Sequence, residues 1–302
     1  MIISFTFYLN MCIMVKKNEE NKMSIVEMKM KAEQLYRKNK EQLVPHFFFV
    51  GYISLLAQYL QSGFFSFFVS LFLCSIAHGY VICSMKVVNE EKPLLSLDDS
   101  LIGITHFTRV FPVYFIRKLL IVFLLALSVL PTLLNFTFNQ SLFSWDWIVS
   151  TGNTLIHTEL FIPNLQLILP LFQNAPLTVN IILSIFLYLL LIILSSFMPY
   201  IIEEDDYSWI EALARSCKMV KGQLKPLLFM YFLYLSRYLC YWIVSGFIAT
   251  ILGNINEVLM LLCLVVSLFM YIELVKGRFE IAKYLLYKEL TKEQDDERYE
   301  EY

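Results

Sequence analysis

The sequence predicts an all-α fold: a polytopic membrane helix bundle of about six transmembrane helices, with amphipathic helices lying in the plane of its cytoplasmic face. Three observations carry this. Of the 302 residues, 58% are hydrophobic and 17% are charged, outside the usual range of soluble globular chains. The charges gather in a few blocks between long neutral runs, so the net charge of −2 says little about partners. Ser-x-x-acid boxes recur ahead of proline-initiated apolar runs, marking points where a chain leaves water and enters a bilayer.

Residues 1–15 are apolar but too short to span, and no Lys or Arg precedes them as in a signal peptide. Two readings of residues 1–23 stand: an extension ahead of a true start at Met14 or Met23, or an interfacial segment. The main membrane domain is expected over residues 24–290. Ser24 and Glu27 form the first capping box, and Ile25, Met28, Ala32 and Leu35 follow at helical spacing, with Glu27/Lys31 and Glu33/Arg37 as acid-before-base pairs on the solvated face. Asn39 is expected to end this in-plane helix and Pro45 to open a span over 45–59. A turn at Gln61-Ser62-Gly63 then leads to a return over 64–85.

Ser96 and Asp99 repeat the box ahead of Leu97, Leu101, Ile104 and Phe107, with Gly103 as an interruption, and Pro112 opens the span 112–134. The segment 135–176 contains no Lys or Arg and carries Trp145, Trp147, Pro163, Pro170 and Pro176, which predicts an extracytoplasmic piece with interfacial or re-entrant packing. Further spans are expected over 177–202, 226–252 and 257–275. Between the first two lies an in-plane helix. Ser208 and Glu211 cap it and Gly222 stops it; Ile210, Leu213, Cys217 and Val220 form one face, with Glu211, Arg215, Lys218 and Lys221 on the other. The recurrence of cap, amphipathic helix, proline and span fits an internal repeat, and equally the boundary chemistry that any re-entering chain needs. Lys and Arg cluster on one side of the predicted spans, which puts both termini in the cytoplasm. From Lys276 the chain reads as a charged helix ending in a solvated acidic tail over 291–302.

No catalytic constellation emerges. His46, His78, His106 and His157 are dispersed, the six cysteines lack metal-ligand spacing, and no phosphate-cradling Gly-rich loop occurs. The expectation is therefore a non-enzyme without catalytic, metal or cofactor residues. Glu203-Glu204-Asp205-Asp206 reads as a solvated turn; it resembles the paired glutamates of membrane-embedded prenyl-peptide proteases but lacks their following arginine and partner histidines. Arg237 is the exceptional residue, about eleven positions and roughly 16 Å into its span, where a cation costs about 2.5–3.5 kcal/mol. It is expected to face the bundle interior, with Gln58 and Tyr188 at matching depths. It serves there either as a contact for an anion or headgroup, or as a structural arginine satisfied by carbonyls and by Tyr234, Tyr238 and Tyr241.

Three stretches resemble the bacterial multi-pass membrane family known as domain of unknown function 975. EMKMKAEQLYRKNKEQLVPHFF resembles that family's opening Lys-rich helix. Met198-Pro199-Tyr200-Ile201, with Ala212-Leu213, Ser216, Met219-Val220 and Lys221-Gly222, resembles its central stretch, and Leu235-Ser236 matches a Leu-Ser pair, with Arg237 where the family tends to have an aromatic residue. The resemblance implies a bacterial cell-membrane protein and no defined activity. The functional expectation is an accessory or lipid-organising membrane component; the alternative is a small transporter or permease component with a polar site near Arg237. Its expected partners are membrane lipids and a membrane protein or second copy, without nucleic acid.

Overall fold

A computed structural model of the chain describes residues 23–59, 73–90, 93–135, 186–187, 189–205, 207–253 and 256–300. These are helices and their connections, with no strand among them. The segment 135–176 and Tyr188 lie outside the described residues apart from Asn135, as do residues 1–22 and the 61–63 turn.

The longest element, α1 (Ile25–Tyr59), passes straight through Asn39 and carries Pro45 in its interior, so the expected break between an in-plane helix and a span is absent. Asn39 Nδ2 donates to the Leu35 carbonyl at 3.0 Å, which satisfies it locally. Met28, Ala32, Tyr36, Leu43, Phe47 and Val50 form a buried stripe across the supposed boundary, and that packing outweighs the local breaking tendency.

The stripe meets a second long rod: α8 (Glu257–Tyr271), a π-helical segment (Ile272–Lys276) and α9 (Gly277–Glu300), one running into the next. Asn256 starts it by accepting from the Val258 amide at 2.7 Å. The two rods are antiparallel, as shown by Glu33 paired with Arg278 at 2.6 Å, Lys40 paired with Glu273, and Gly51 against Leu268. A Cβ on Gly277 would fall 2.4 Å from Cε2 of Tyr36, so the glycine lets that ring lie against the π-helical junction.

The charged helix expected after Lys276 forms, and it enters the core, since every residue from Glu280 to Tyr287 is buried. Ile281, Ala282, Tyr284, Leu285, Leu286 and Tyr287 surround the axis on all sides, as in the central helix of a core. The acidic end stays helical to Glu300. Around α9 stand the first half of α1, α2 (His78–Asn89) and the short α5 (Met198–Glu204). Phe197, Tyr200, Tyr284 and Tyr287 stack there with ring centroids 5.2–6.0 Å apart.

α2 follows a 3₁₀ turn (Cys74–Ala77) and is crossed by α3 (Leu97–Thr105). Gly103 makes that crossing possible: a Cβ there would lie 1.9 Å from the Ser75 carbonyl oxygen. It is a packing requirement rather than an interruption. The Ser96/Asp99 capping box forms as expected, and Lys86 adds an ion pair to Asp99 at 2.9 Å. α4 (Phe107–Asn135) starts before Pro112. Residues 189–194 are helical, and a turn at 195–197 breaks the expected 177–202 run. There Ser195 and Ser196 hydroxyls donate to the carbonyls of Leu191 and Ile192 at 2.7 and 2.8 Å, and Pro199 sits in the first turn of α5.

The Ser208/Glu211 capping box is also present and starts α6 (Trp209–Gly222). Its buried face, however, is Ala212, Ser216, Met219 and Val220, while Ile210 is 59% exposed. Ser216 explains the rotation: its hydroxyl donates to the Leu194 carbonyl at 2.7 Å and accepts from the Phe197 amide at 3.2 Å, which draws that side inward.

α7 (Leu224–Gly253) follows, and along it Phe232, Leu239, Ile243, Val244 and Phe247 are exposed. α8 exposes Val258, Leu262 and Val266, and α4 exposes Leu119 and Phe123. Among the described residues one helical stretch, Leu224–Ile248, is long and apolar enough to cross a membrane, and 24% of its most apolar window is buried.

Candidate functional site: a buried ionic cluster at the root of the last helix

A π-helical turn carries one more residue per hydrogen-bonded ring than an α-turn and so re-aims the side chains beside it. Here it leads into Lys276, Glu280 and Lys283, spaced so that both ammonium groups reach one carboxylate from above and below. Lys276 Nζ lies 3.0 Å from Glu280 Oε1, Lys283 Nζ lies 2.8 Å from Oε2, and the Tyr200 hydroxyl donates to Oε2 at 3.1 Å. Glu280 is 3% exposed. Burial pushes its carboxyl pKa up, but the two lysines outweigh that and hold it well below the usual carboxylate range. Burial depresses Lys283, with Glu280 opposing.

Aromatic faces complete the cage. Lys276 Nζ sits 4.5 Å from the Tyr80 ring centroid, and Lys283 Nζ lies 5.4 Å from that of Tyr200 and 5.6 Å from that of Phe279. Arg117 on α4 adds a third cation whose charge Lys283 senses. The cluster thus carries more positive than negative charge in a place closed to water.

A second buried pair adjoins it through α5. His78, fully buried, bonds Glu203 Oε1 through Nε2 at 2.8 Å and the Tyr114 hydroxyl through Nδ1 at 3.1 Å. Burial raises the Glu203 pKa, yet the His78 hydrogen bond and charge bring it below the ordinary value. The Tyr284 hydroxyl donates to Glu204 at 2.9 Å and accepts from Asn89 Nδ2 at 2.9 Å. Arg109 donates to the Ile202 and Asp205 carbonyls at the end of α5, while Arg215 bonds the Asp205 carboxylate at 2.7 Å. Residues 203–205, read from sequence as a solvated turn, are thus a tied junction between α2, α4, α6 and α9.

Arg237 does not face the interior; it lies on the exposed side of α7. One turn before it on α7 the Tyr234 hydroxyl, which is buried, reaches the Arg278 carbonyl at 3.4 Å. Side chains on a helix also lean toward its N-terminus, and Lys29 near the start of α1 senses the Arg237 charge. Gln58 lies in α1 with its side chain outside the described residues, and Tyr188 lies outside them entirely. Of the α6 residues, Ser208 and Glu211 form the cap, Ser216 is buried, Arg215 bonds Asp205, Lys218 and Lys221 are exposed, and Gly222 ends the helix.

Sequence reasoning missed Lys276, Glu280, Lys283 and Tyr200. The signal was the run Ile281-Ala282-Lys283-Tyr284-Leu285-Leu286-Tyr287, too apolar all round for a solvated helix. Among the described residues no group of three or more His, Cys, Asp or Glu is placed to hold a metal ion. Comparison of the chain with family models, curated proteins and solved structures finds no match in any of the three.

Proposed function

We propose that the chain is a multi-pass integral protein of the bacterial cell membrane with both termini cytoplasmic, acting as a non-enzymatic, lipid-organising or accessory component. One observation carries this reading: α4, α7 and α8 all present large apolar side chains outward, while the ionic cluster closes the bundle at one end. Large apolar side chains exposed along three helices suit lipid as their solvent. In this reading the chain crosses the bilayer six times, the first span continuing the α1 rod and the fourth ending at the 195–197 turn, and Lys276–Glu280–Lys283 locks the cytoplasmic end.

Alkaline carbonate extraction of membranes carrying the full chain tests the reading. The protein should remain with the bilayer; release into the supernatant would refute an integral role. A second reading, a small transporter component, is favoured by the buried Glu280 carboxylate amid Lys276, Lys283 and Arg117, since buried, strongly perturbed ionisable groups cluster at functional sites. Reconstituted vesicles should then show Glu280-dependent flux of an anion or proton, and flux unchanged in Glu280→Gln would reject it.

A further inference from the structure

α1 and α7 meet the root of α9 where cations outnumber carboxylates. Arg278 is gripped there on three sides. Its Nε donates to Glu33 Oε2 at 2.6 Å, its guanidinium lies 4.3 Å from the Tyr36 ring centroid, and its carbonyl accepts from the Tyr234 hydroxyl at 3.4 Å. Arg278 Nη1 is nevertheless buried without a hydrogen-bond partner among the described residues, and so is the hydroxyl of Tyr36, itself 1% exposed. Buried donors left this way call for an acceptor.

The same place gathers further positive charge. Lys29 lies one helical turn before Glu33 on the same face of α1, and Arg237 lies one turn beyond Tyr234 on the same face of α7. Neither forms an ion pair with a described residue, and Lys29 senses the Arg237 charge. Glu33 already serves both Arg37, at 3.1 Å, and Arg278. The neighbouring Lys40–Glu273 pair is internally neutral. Glu33 thus serves Arg37 and Arg278 and also attracts Lys29, while Arg237 adds a further cation that Lys29 senses.

The surroundings are apolar on the outside: Phe232, Leu235 and Leu239 are exposed on α7, and Val26 and Met30 on α1. We propose that Lys29, Arg237 and Arg278 form a headgroup site for an anionic phospholipid, with the phosphate between α1 and α7 and the acyl chains along the exposed Leu239 and Ile243. The inference rests on the integral-membrane reading above. A zwitterionic headgroup brings its own cation into a cluster that repels it, and free phosphate has no chains to cover the apolar flank.

The full chain, purified in detergent and stripped of lipid, is mixed with phosphatidylglycerol, phosphatidylcholine or inorganic phosphate, and followed by native mass spectrometry and thermal unfolding. Phosphatidylglycerol should stay bound and raise the unfolding temperature, more than phosphatidylcholine does. The double variant Lys29→Gln/Arg237→Gln should lose about tenfold or more in phosphatidylglycerol retention, tenfold being the loss expected from removing a single weak charge-assisted hydrogen bond. Lys29→Arg/Arg237→Lys, which keeps both charges, should retain it, and so decides the matter if the glutamine pair unfolds. Retention by the folded glutamine variant, equal retention of phosphatidylcholine, loss of retention in the charge-keeping variant, or an equal shift from inorganic phosphate alone would each overturn the site. Carbonate extraction of the wild-type chain reads the membrane assignment separately, since release there leaves the detergent result intact.

Discussion

Replacing Glu280 by Gln perturbs the cluster with little change of shape. The carboxylate accepts from Lys276 at 3.0 Å, Lys283 at 2.8 Å and Tyr200 at 3.1 Å, and it is 3% exposed. An amide offers one oxygen, so one ammonium keeps a neutral partner and the other is left buried. Lys276 retains the Tyr80 face and Lys283 the faces of Tyr200 and Phe279, which offset part of the loss. Breaking a buried ion pair by removing one partner costs about 3–5 kcal/mol, and the retained contacts place Glu280→Gln near about 3 kcal/mol. Denaturant unfolding in detergent reads this directly. The triple variant Lys276→Met/Glu280→Leu/Lys283→Met should recover most of the loss, because removing the whole cluster leaves no orphan charge. Acid adds a second signature. Since the folded-state pKa of Glu280 lies below the ordinary 4.5, its contribution is present above that value and is lost as pH falls toward the folded pKa. Glu280→Gln should therefore flatten the acid limb of the stability profile. A variant within about 0.5 kcal/mol of wild type, the size of an ordinary surface substitution, would refute the structural role.

Two packing predictions accompany it. Gly103→Ala places a methyl 1.9 Å from the Ser75 carbonyl oxygen, so the α2–α3 crossing must open, and unfolding measurements should show a loss of about 2–3 kcal/mol. Ser96→Ala removes the hydroxyl that accepts from the Asp99 amide at 3.4 Å, and the same measurement should show about 1 kcal/mol, with Ser96→Gly costing less.

Local chemistry was legible in the sequence. The Ser96/Asp99 and Ser208/Glu211 boxes need residues three apart and nothing else, and both form. Long-range packing was not. Asn39 and Pro45 are breakers by propensity, yet the buried stripe from Met28 to Val50 carries α1 through them. The face of α6 was read one step off because Ile210 outranks Ser216 in hydrophobicity, whereas Ser216 has the partners on the inner side. Lys276, Glu280 and Lys283 were visible at helical spacing, but charge alone suggested water; what buries them is the set of tyrosines that converge from α2, α5 and α9. Arg237 was singled out for its position in an apolar run. Its surroundings depend on Arg278 and Glu33, distant in sequence, and no counting along α7 could find them.

The account's central claim is that the apolar faces of α4, α7 and α8 lie in lipid with the ionic cluster on the cytoplasmic side. Single cysteines at Ser208 and Asn256, in a chain whose native cysteines are replaced by alanine, test it in intact cells with a membrane-impermeant maleimide. Ser208 starts α6, which leads into α7, and Asn256 follows α7 and starts α8. Labelling of Asn256→Cys from outside, with Ser208→Cys protected until the cells are permeabilised, is the predicted result; labelling of Ser208→Cys from outside, or equal protection of both, would contradict it.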